Sequence, residues 1–255
     1  MTTYLVAGST GNLGRPTFEE LQRRGLDVRG LSRTAGPGRI AVDLTTGAGL
    51  AEALEGVDVV VHAATANGGR DLSIARRLTE AAREAGVGHL VLISIVGIDR
   101  IPFGFYRQRL RIEEIVEESG LPHTIQRATQ FHSFVDRFLS AQRRLPVLLV
   151  PAIRLQSIAE EDLAVRLADL ATAAPTGRVA DVGGPAVRPV RELAEEWRAA
   201  TGTRRPLVPF RLPGRLFASL DEGANLVSGE PYGTRTFEDY LARTYGAEVP
   251  SLPRR

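Results

Sequence analysis

Tyr4-Leu5-Val6-Ala7-Gly8-Ser9-Thr10-Gly11-Asn12-Leu13-Gly14-Arg15-Pro16 is the stretch that decides the fold. An apolar, strand-forming run enters a glycine-rich turn, and Pro16 opens the segment beyond it, where the missing proline N–H costs a helix no hydrogen bond. Glycines at 8, 11 and 14 allow a tight turn, close approach of a ligand to the backbone, and close packing of helix on strand. Amides at the start of the following helix are oriented with partial positive charge, so the whole turn from Gly8 to Gly14 predicts a pyrophosphate site. The blander reading, a strand-to-helix turn without a ligand, is disfavoured because strand, turn and helix occur together.

Outward from this turn, short β-branched runs alternate with amphipathic segments as far as residue 127, the mark of repeated βαβ units around a parallel sheet. The pattern predicts strands at 4–7, 28–32, 40–43, 57–63, 89–95 and 124–127, with helices near 16–24, 50–54, 72–85 and 106–118. Gly25, Gly86 and Gly120 stand where left-handed caps would close helices. Further on, Phe131-His132-Ser133-Phe134 leads a predicted helix, and further strands are expected at 145–150, 155–158 and 178–182, with a helix at 162–171. These pieces are expected to extend the sheet and roof its C-terminal edge. The tail, punctuated by Pro206, Pro209 and Pro213 before a closing helix near 237–244, shows no apolar core of its own. The expected architecture is one Rossmann-type α/β domain over 1–255: a doubly wound parallel sheet with a nucleotide-binding core at 1–127 and a small C-terminal substrate-binding portion at 128–255.

Composition narrows the function classes. Hydrophobic residues at 43% and charged residues at 24% match globular usage. No apolar run approaches the ~18 residues of a membrane span, and Met1-Thr2-Thr3-Tyr4 lacks a basic segment followed by an apolar one, so a cytoplasmic location is expected. The absence of cysteine removes disulfides and thiolate chemistry, and the four histidines have no metal-ligand spacing, so no metal is expected. All 32 basic residues are arginine, and the net charge of +2 is spread along the chain without a basic run. Nucleic acid is therefore not an expected partner; a small molecule is, with the chain a monomer or homodimer.

The second predicted strand ends Leu31-Ser32-Arg33. A site built for NAD places an acid there to bind the ribose 2′-hydroxyl; here Arg33, with Ser32 and Arg39, offers a guanidinium fork to a 2′-phosphate, so NADP(H) is expected over NAD(H). Arg33 as a solvated loop residue is the alternative. Asp43 either meets the adenine edge or caps a turn. His62-Ala63-Ala64-Thr65 closes the fourth strand; its small residues, with Thr65, would let a cofactor pass close to the sheet edge, and His62 reads as a packed strand residue.

With those residues in hand, the chain resembles the atypical short-chain dehydrogenase/reductases, in particular the NmrA-like, NAD(P)H-binding branch. The resemblance runs over about residues 4 to 185. Besides the glycine turn it rests on Ile93-Ser94-Ile95-Val96-Gly97, Phe105-Tyr106-Arg107-Gln108-Arg109, Arg127-Ala128-Thr129-Gln130-Phe131, Gln156-Ser157-Ile158 with Glu161-Asp162, and Val182-Gly183-Gly184-Pro185. The wider superfamily carries a serine after the fifth strand and a Tyr-x-x-x-Lys pair on the next helix. This chain departs from it: Phe105 falls at the tyrosine and Arg109 at the lysine, and shifting by one residue sets Tyr106 against Leu110. With no lysine anywhere, the usual tetrad is excluded.

Arg109 is left to hold a cofactor ribose or a substrate oxygen, or to pair with Glu113 one helical turn on. Hydride transfer needs a nicotinamide face and an electrophilic carbon, and a quinone or conjugated acceptor tolerates the loss of a dedicated proton donor. The expected function is an NADPH-dependent reductase of such a small molecule, serving secondary metabolism, with Phe103, Phe105, Phe131 and Phe134 as substrate walls. Candidate catalytic groups are His132, Tyr106 and Ser94, each with a structural alternative: a helix-start anchor, a packing ring and a strand-end hydrogen bond. Two other classes stay open: a redox sensor that binds NADP(H) without turnover and signals through a protein partner, and a non-redox isomerase or lyase.

Overall fold

The computed structural model describes residues 1–65 and 69–246. In chain order the elements are β1 (Thr3–Ala7), α1 (Gly14–Arg23), β2 (Asp27–Ser32), β3 (Arg39–Ala41), α2 (Leu50–Leu54), β4 (Val59–His62), α3 (Asp71–Glu84), β5 (His89–Ile95), α4 (Gly104–Glu118), β6 (His123–Ala128), α5 (His132–Ser140), β7 (Leu148–Pro151), β8 (Arg154–Leu155), α6 (Glu160–Thr172), β9 (Gly177–Arg178), β10 (Arg188–Pro189), α7 (Val190–Thr201), β11 (Leu207–Phe210), α8 (Arg215–Asp221) and α9 (Phe237–Tyr245).

The chain forms two compact units: residues 1–128 with 160–182, and residues 129–159 with 183–246 of the described chain. The first unit is the Rossmann-type α/β fold. Its seven strands run parallel in the order β3-β2-β1-β4-β5-β6-β9. Strand order reverses between β1 and β4, and the glycine turn leaves β1 at this switch point, where ligands of open α/β sheets bind. Strands buried on both faces explain the near-continuous apolar runs of β4 and β5. On one face Leu5, Leu31, Val60, Leu90 and Leu92 pack against α2, α3 and α4 through Leu54, Leu78 and Ile112. On the other, α1 and α6 lie together, tied by the Arg24–Asp169 ion pair and by Arg24 donating to the Val165 carbonyl. Gly25, Gly86 and Gly120 all take positive φ just after their helices, as caps.

The second unit differs from expectation. β7 and β8 do not extend the main sheet: β7 pairs in parallel with β11, and β8 pairs antiparallel with β10. Of the late segments, β9 joins the sheet beside β6, followed by a single bridge between Ala128 and Val182. The helix expected at 162–171 is α6 of the first unit. The tail has no core of its own but shares one. Val190, Leu193, Trp197, Phe237 and Leu241 cluster with Val135, Leu139, Leu148 and Val150. Asp136 ties this unit together, accepting hydrogen bonds from Trp197 Nε1, Ser140 Oγ, Tyr240 Oη and Tyr245 Oη.

Candidate functional site

Backbone contacts fix the glycine turn. Gly8 has φ +84°, and a Cβ there would lie 2.7 Å from the Ala64 Cα; at Gly14 it would lie 2.1 Å from the Gly8 carbonyl oxygen. The Gly11 N–H donates to the Gly8 carbonyl at 2.9 Å, and the Arg15 N–H to the Gly11 carbonyl at 3.0 Å. The N-terminus of α1 has no side-chain cap and no acid in its first turn, so its own residues do not offset its positive end. Thr10, Gly11 and Asn12 are exposed on the turn, while Leu13 is buried as the N-cap residue. Ser9 braces the turn: its N–H and its hydroxyl both donate to the Leu31 carbonyl at 3.0 Å, beneath Gly30.

At the end of β2 the Ser32 hydroxyl donates to the Thr34 carbonyl, so it holds the loop and is not a free phosphate donor. Arg33 is exposed and makes no hydrogen bond or ion pair among the described residues. The Arg39 guanidinium lies over the Phe18 ring at 4.6 Å from its centroid. Asp43 takes the turn-capping role: its carboxylate accepts from the Thr45 N–H at 2.8 Å and the Thr45 hydroxyl at 2.7 Å. Those bonds hold it below the usual carboxylate range, with the charges of Arg70 and Arg33 adding to them.

Ala63 and Ala64 are half-buried where β4 meets the glycine turn, and the Thr65 hydroxyl donates to the Asp71 carboxylate at 2.9 Å. Arg109 is not a surface partner of Glu113. It is buried, its Nη2 donates to the Ile93 carbonyl at 2.7 Å, and the Glu113 carboxylate is gripped on both oxygens by Arg127, at 2.8 and 2.6 Å. Arg127 also donates to Asp99 at 3.0 Å. Burial works against the Arg127 charge, but Glu113 and Asp99 outweigh it and raise its pKa; burial lowers that of Arg109 despite Asp71 and Glu113.

His62 is pushed down to about 3, first by burial and then by the Arg109 charge. In the unfolded chain it titrates near about 6.5, so between these values only the unfolded state binds the proton. The stability from neutral His62 is therefore full above that pH and is lost on acidification. Lowering the pH from 7 to 5 should cost about 2 kcal/mol through this group, with His89, also lowered by burial, adding in the same direction. Urea unfolding of wild type and His62→Gln at the two pH values measures it; equal losses would show that His62 is not held neutral.

Phe103, Phe105 and Tyr106 form an aromatic cluster at the start of α4, with centroids 5.6 to 6.5 Å apart. Phe103 is exposed and the other two are half-buried. In the second unit Phe131 is half-buried and Phe134 exposed, both at the start of α5. His132, between them in sequence, is hydrogen-bonded at both ring nitrogens. It is 1% exposed; Nε2 lies 3.0 Å from the Arg235 carbonyl, so Nε2 carries the proton and donates there, leaving Nδ1 to accept from the Ser157 hydroxyl at 2.9 Å. Ser94 is buried at the end of β5, and its hydroxyl has no hydrogen-bond partner among the described residues. Sequence reasoning passed over Asp99 and Glu113 as partners of Arg127; nothing in their spacing marks a pair that only the β5–α4–β6 arrangement brings together.

The bare turn, the close-approach glycines and an exposed arginine beside them suit a dinucleotide, and residues 8–135 match the profile of the NAD(P)H-binding family. The chain belongs to that family. Among its relatives, this NAD(P)H-binding protein is 28% identical over 251 residues to a chloroplastic divinyl chlorophyllide a 8-vinyl-reductase of Oryza sativa subsp. indica, a match covering 84% of this chain and 59% of that protein. The chain thus spans about three-fifths of the length of that relative. In fold it is similar to an Escherichia coli NADPH-dependent quinone oxidoreductase complexed with NADPH, with TM-score 0.77, 19% identity, and coverage of 95% of this chain and 99% of that one. It is also similar to a Citrobacter sp. triphenylmethane reductase complexed with NADP(H), with TM-score 0.68, 18% identity, and coverage of 96% and 89%. A Staphylococcus aureus nucleoside-diphosphate-sugar epimerase shares the fold too, with TM-score 0.74, 20% identity, and coverage of 94% and 99%. Among the described residues no helix is long and apolar enough to cross a membrane.

Proposed function

We propose that this protein is an NADPH-dependent reductase of a small conjugated or quinone-like molecule, working without a Tyr/Lys pair. The observation that carries the reading is the uncapped α1 N-terminus behind a turn whose glycines admit no side chain. The amides of that turn would hold the pyrophosphate, and exposed Arg33, supported by Arg39, would hold a 2′-phosphate. Bound NADPH supplies the hydride. Phe105 cannot donate a proton, the chain has no lysine, and both His132 nitrogens are engaged within their own unit. Such a site favours an acceptor whose negative charge spreads over a conjugated system once hydride arrives. The rings of Phe103, Phe105 and Tyr106 offer an apolar, aromatic wall for one. The vinyl-reductase and quinone-oxidoreductase likenesses support the same class of acceptor. A cytoplasmic setting and a monomer or homodimer belong to this reading.

The test uses NADPH carrying deuterium at the transferable position together with a conjugated enone. Mass spectrometry should find one deuterium on carbon in the product. Tight NADPH binding with no deuterium in any acceptor tried would instead support the redox sensor, which the same lack of a Tyr/Lys pair favours.

A further inference from the structure

The C-terminal edge of the parallel sheet carries a layer of buried polar side chains that the proposed hydride transfer does not use. Register sets its membership. His62 stands beside Ala7 and Leu92 in the neighbouring strands, and Ser94, two residues beyond Leu92, points to the same face of β5 and stands beside Arg127. This is the face covered by α3 and α4, since Leu92 packs in one cluster with Ala75 and Ile112. From α4 the Arg109 guanidinium reaches across to the carbonyl of Ile93, next to Ser94. His62 is 2%, Ser94 3% and Arg109 7% exposed. Yet both ring nitrogens of His62, the Ser94 Oγ and the Arg109 Nε have no hydrogen-bond partner among the described residues. Buried polar atoms are seldom left so, and four within one layer call for a shared ligand.

Charge and hydrogen-bond chemistry decide its kind. Arg127 is matched by Glu113 and Asp99, and Asp71 with Glu113 lies within range of the Arg109 charge. Two arginines against three carboxylates leave the layer slightly negative, which disfavours an anion, while Arg109 repels a cation. The Arg109 Nε–H can only donate, a neutral imidazole donates from one nitrogen and accepts at the other, and a serine hydroxyl does both. The ligand must therefore be neutral and able both to donate and to accept. It must also be small, because all four atoms are closed off from solvent.

We propose that His62, Ser94 and Arg109 hold an internal water site of at least two molecules, which hydrates the buried Arg109 charge from inside the fold. Two is the minimum because the imidazole nitrogens face away from each other, so one water cannot serve both. His62 is then a positioning residue, acting on Arg109 and Ser94 through the waters it holds. Polar cavities of this kind hold water, and apolar ones stay dry.

Two measurements on the full chain test this without requiring turnover. A high-resolution crystal structure should show ordered water within hydrogen-bond distance of each His62 nitrogen, of Ser94 Oγ and of Arg109 Nε; protein groups bonded directly to those atoms, with no water between, would overturn the site. Thermal unfolding gives a test by sign. If the waters are present, His62→Leu takes partners from them and lowers the midpoint by about 3 °C or more, while His62→Gln, which keeps a donor and an acceptor, recovers most of that loss. If the layer is dry, His62→Leu removes two unsatisfied buried atoms and the midpoint rises or stays where it was, which contradicts the proposal.

Discussion

Replacing Gly14 with alanine should weaken NADPH binding at least about 100-fold, equivalent to ~2.7 kcal/mol. The new methyl would lie 2.1 Å from the Gly8 carbonyl oxygen and 2.7 Å from its carbon, both backbone atoms that a side-chain rotation cannot move aside. The turn has to open, and with it goes the alignment of amides at the start of α1. General destabilisation is separated from loss of the site by Gly86→Ala as a control. Gly86, unlike Gly14, has positive φ, +73°, and a Cβ there meets nothing within 4 Å. It should cost about 1–2 kcal/mol of stability from the left-handed backbone alone and leave NADPH affinity nearly intact. Isothermal titration of both variants decides: a Gly14→Ala protein that is folded and binds NADPH normally would remove the turn from the site.

Arg33→Ala carries the second large effect. An exposed guanidinium with no hydrogen bond or ion pair among the described residues is available to a 2′-phosphate, and losing charge-assisted bonds of ~1.5–3 kcal/mol corresponds to about 10- to 100-fold in affinity. NADPH should lose that factor, while NADH, with a hydroxyl at the same place, should lose little. Parallel titrations with the two cofactors measure it. Equal losses would take Arg33 out of cofactor discrimination and leave Arg39, held over Phe18, as the residue to vary next.

The first unit was legible because its signals are local. β4 and β5 are apolar runs, the glycine turn is contiguous, and the caps at Gly25, Gly86 and Gly120 fall directly after their helices. The second unit was not, because its core is gathered from distant segments: Val135 and Leu139 meet Trp197 and Phe237, none of which forms an apolar block in sequence. Pro209 made β11 read as loop, although an edge strand tolerates proline where no ladder bond is needed. α7 hides behind its charges; Leu193 and Trp197, one turn apart, with Gly202 as a left-handed cap, are the signal that marks it.

The site divides in the same way. Glycines that meet backbone can be read from a motif. The partners of Ser9 and His132 could not, because they are atoms that the fold supplies, the Leu31 carbonyl and Ser157 with the Arg235 carbonyl, whereas the turn cap of Asp43 on Thr45 is local and was one of its two sequence readings. His62 reads as a packed strand residue and is one. That its two ring nitrogens have no hydrogen-bond partner among the described residues emerges only when α4 brings Arg109 over the sheet.

The most direct test of the central claim is NADPH oxidation by the purified full chain against a panel of quinones, enones and simple ketones, followed optically beside a protein-free control. Turnover is expected on quinones or enones and at most marginal on simple ketones, whose alkoxide calls for the lysine-assisted tyrosine that this lysine-free chain lacks. Efficient reduction of simple ketones, with conjugated acceptors left untouched, would contradict the account.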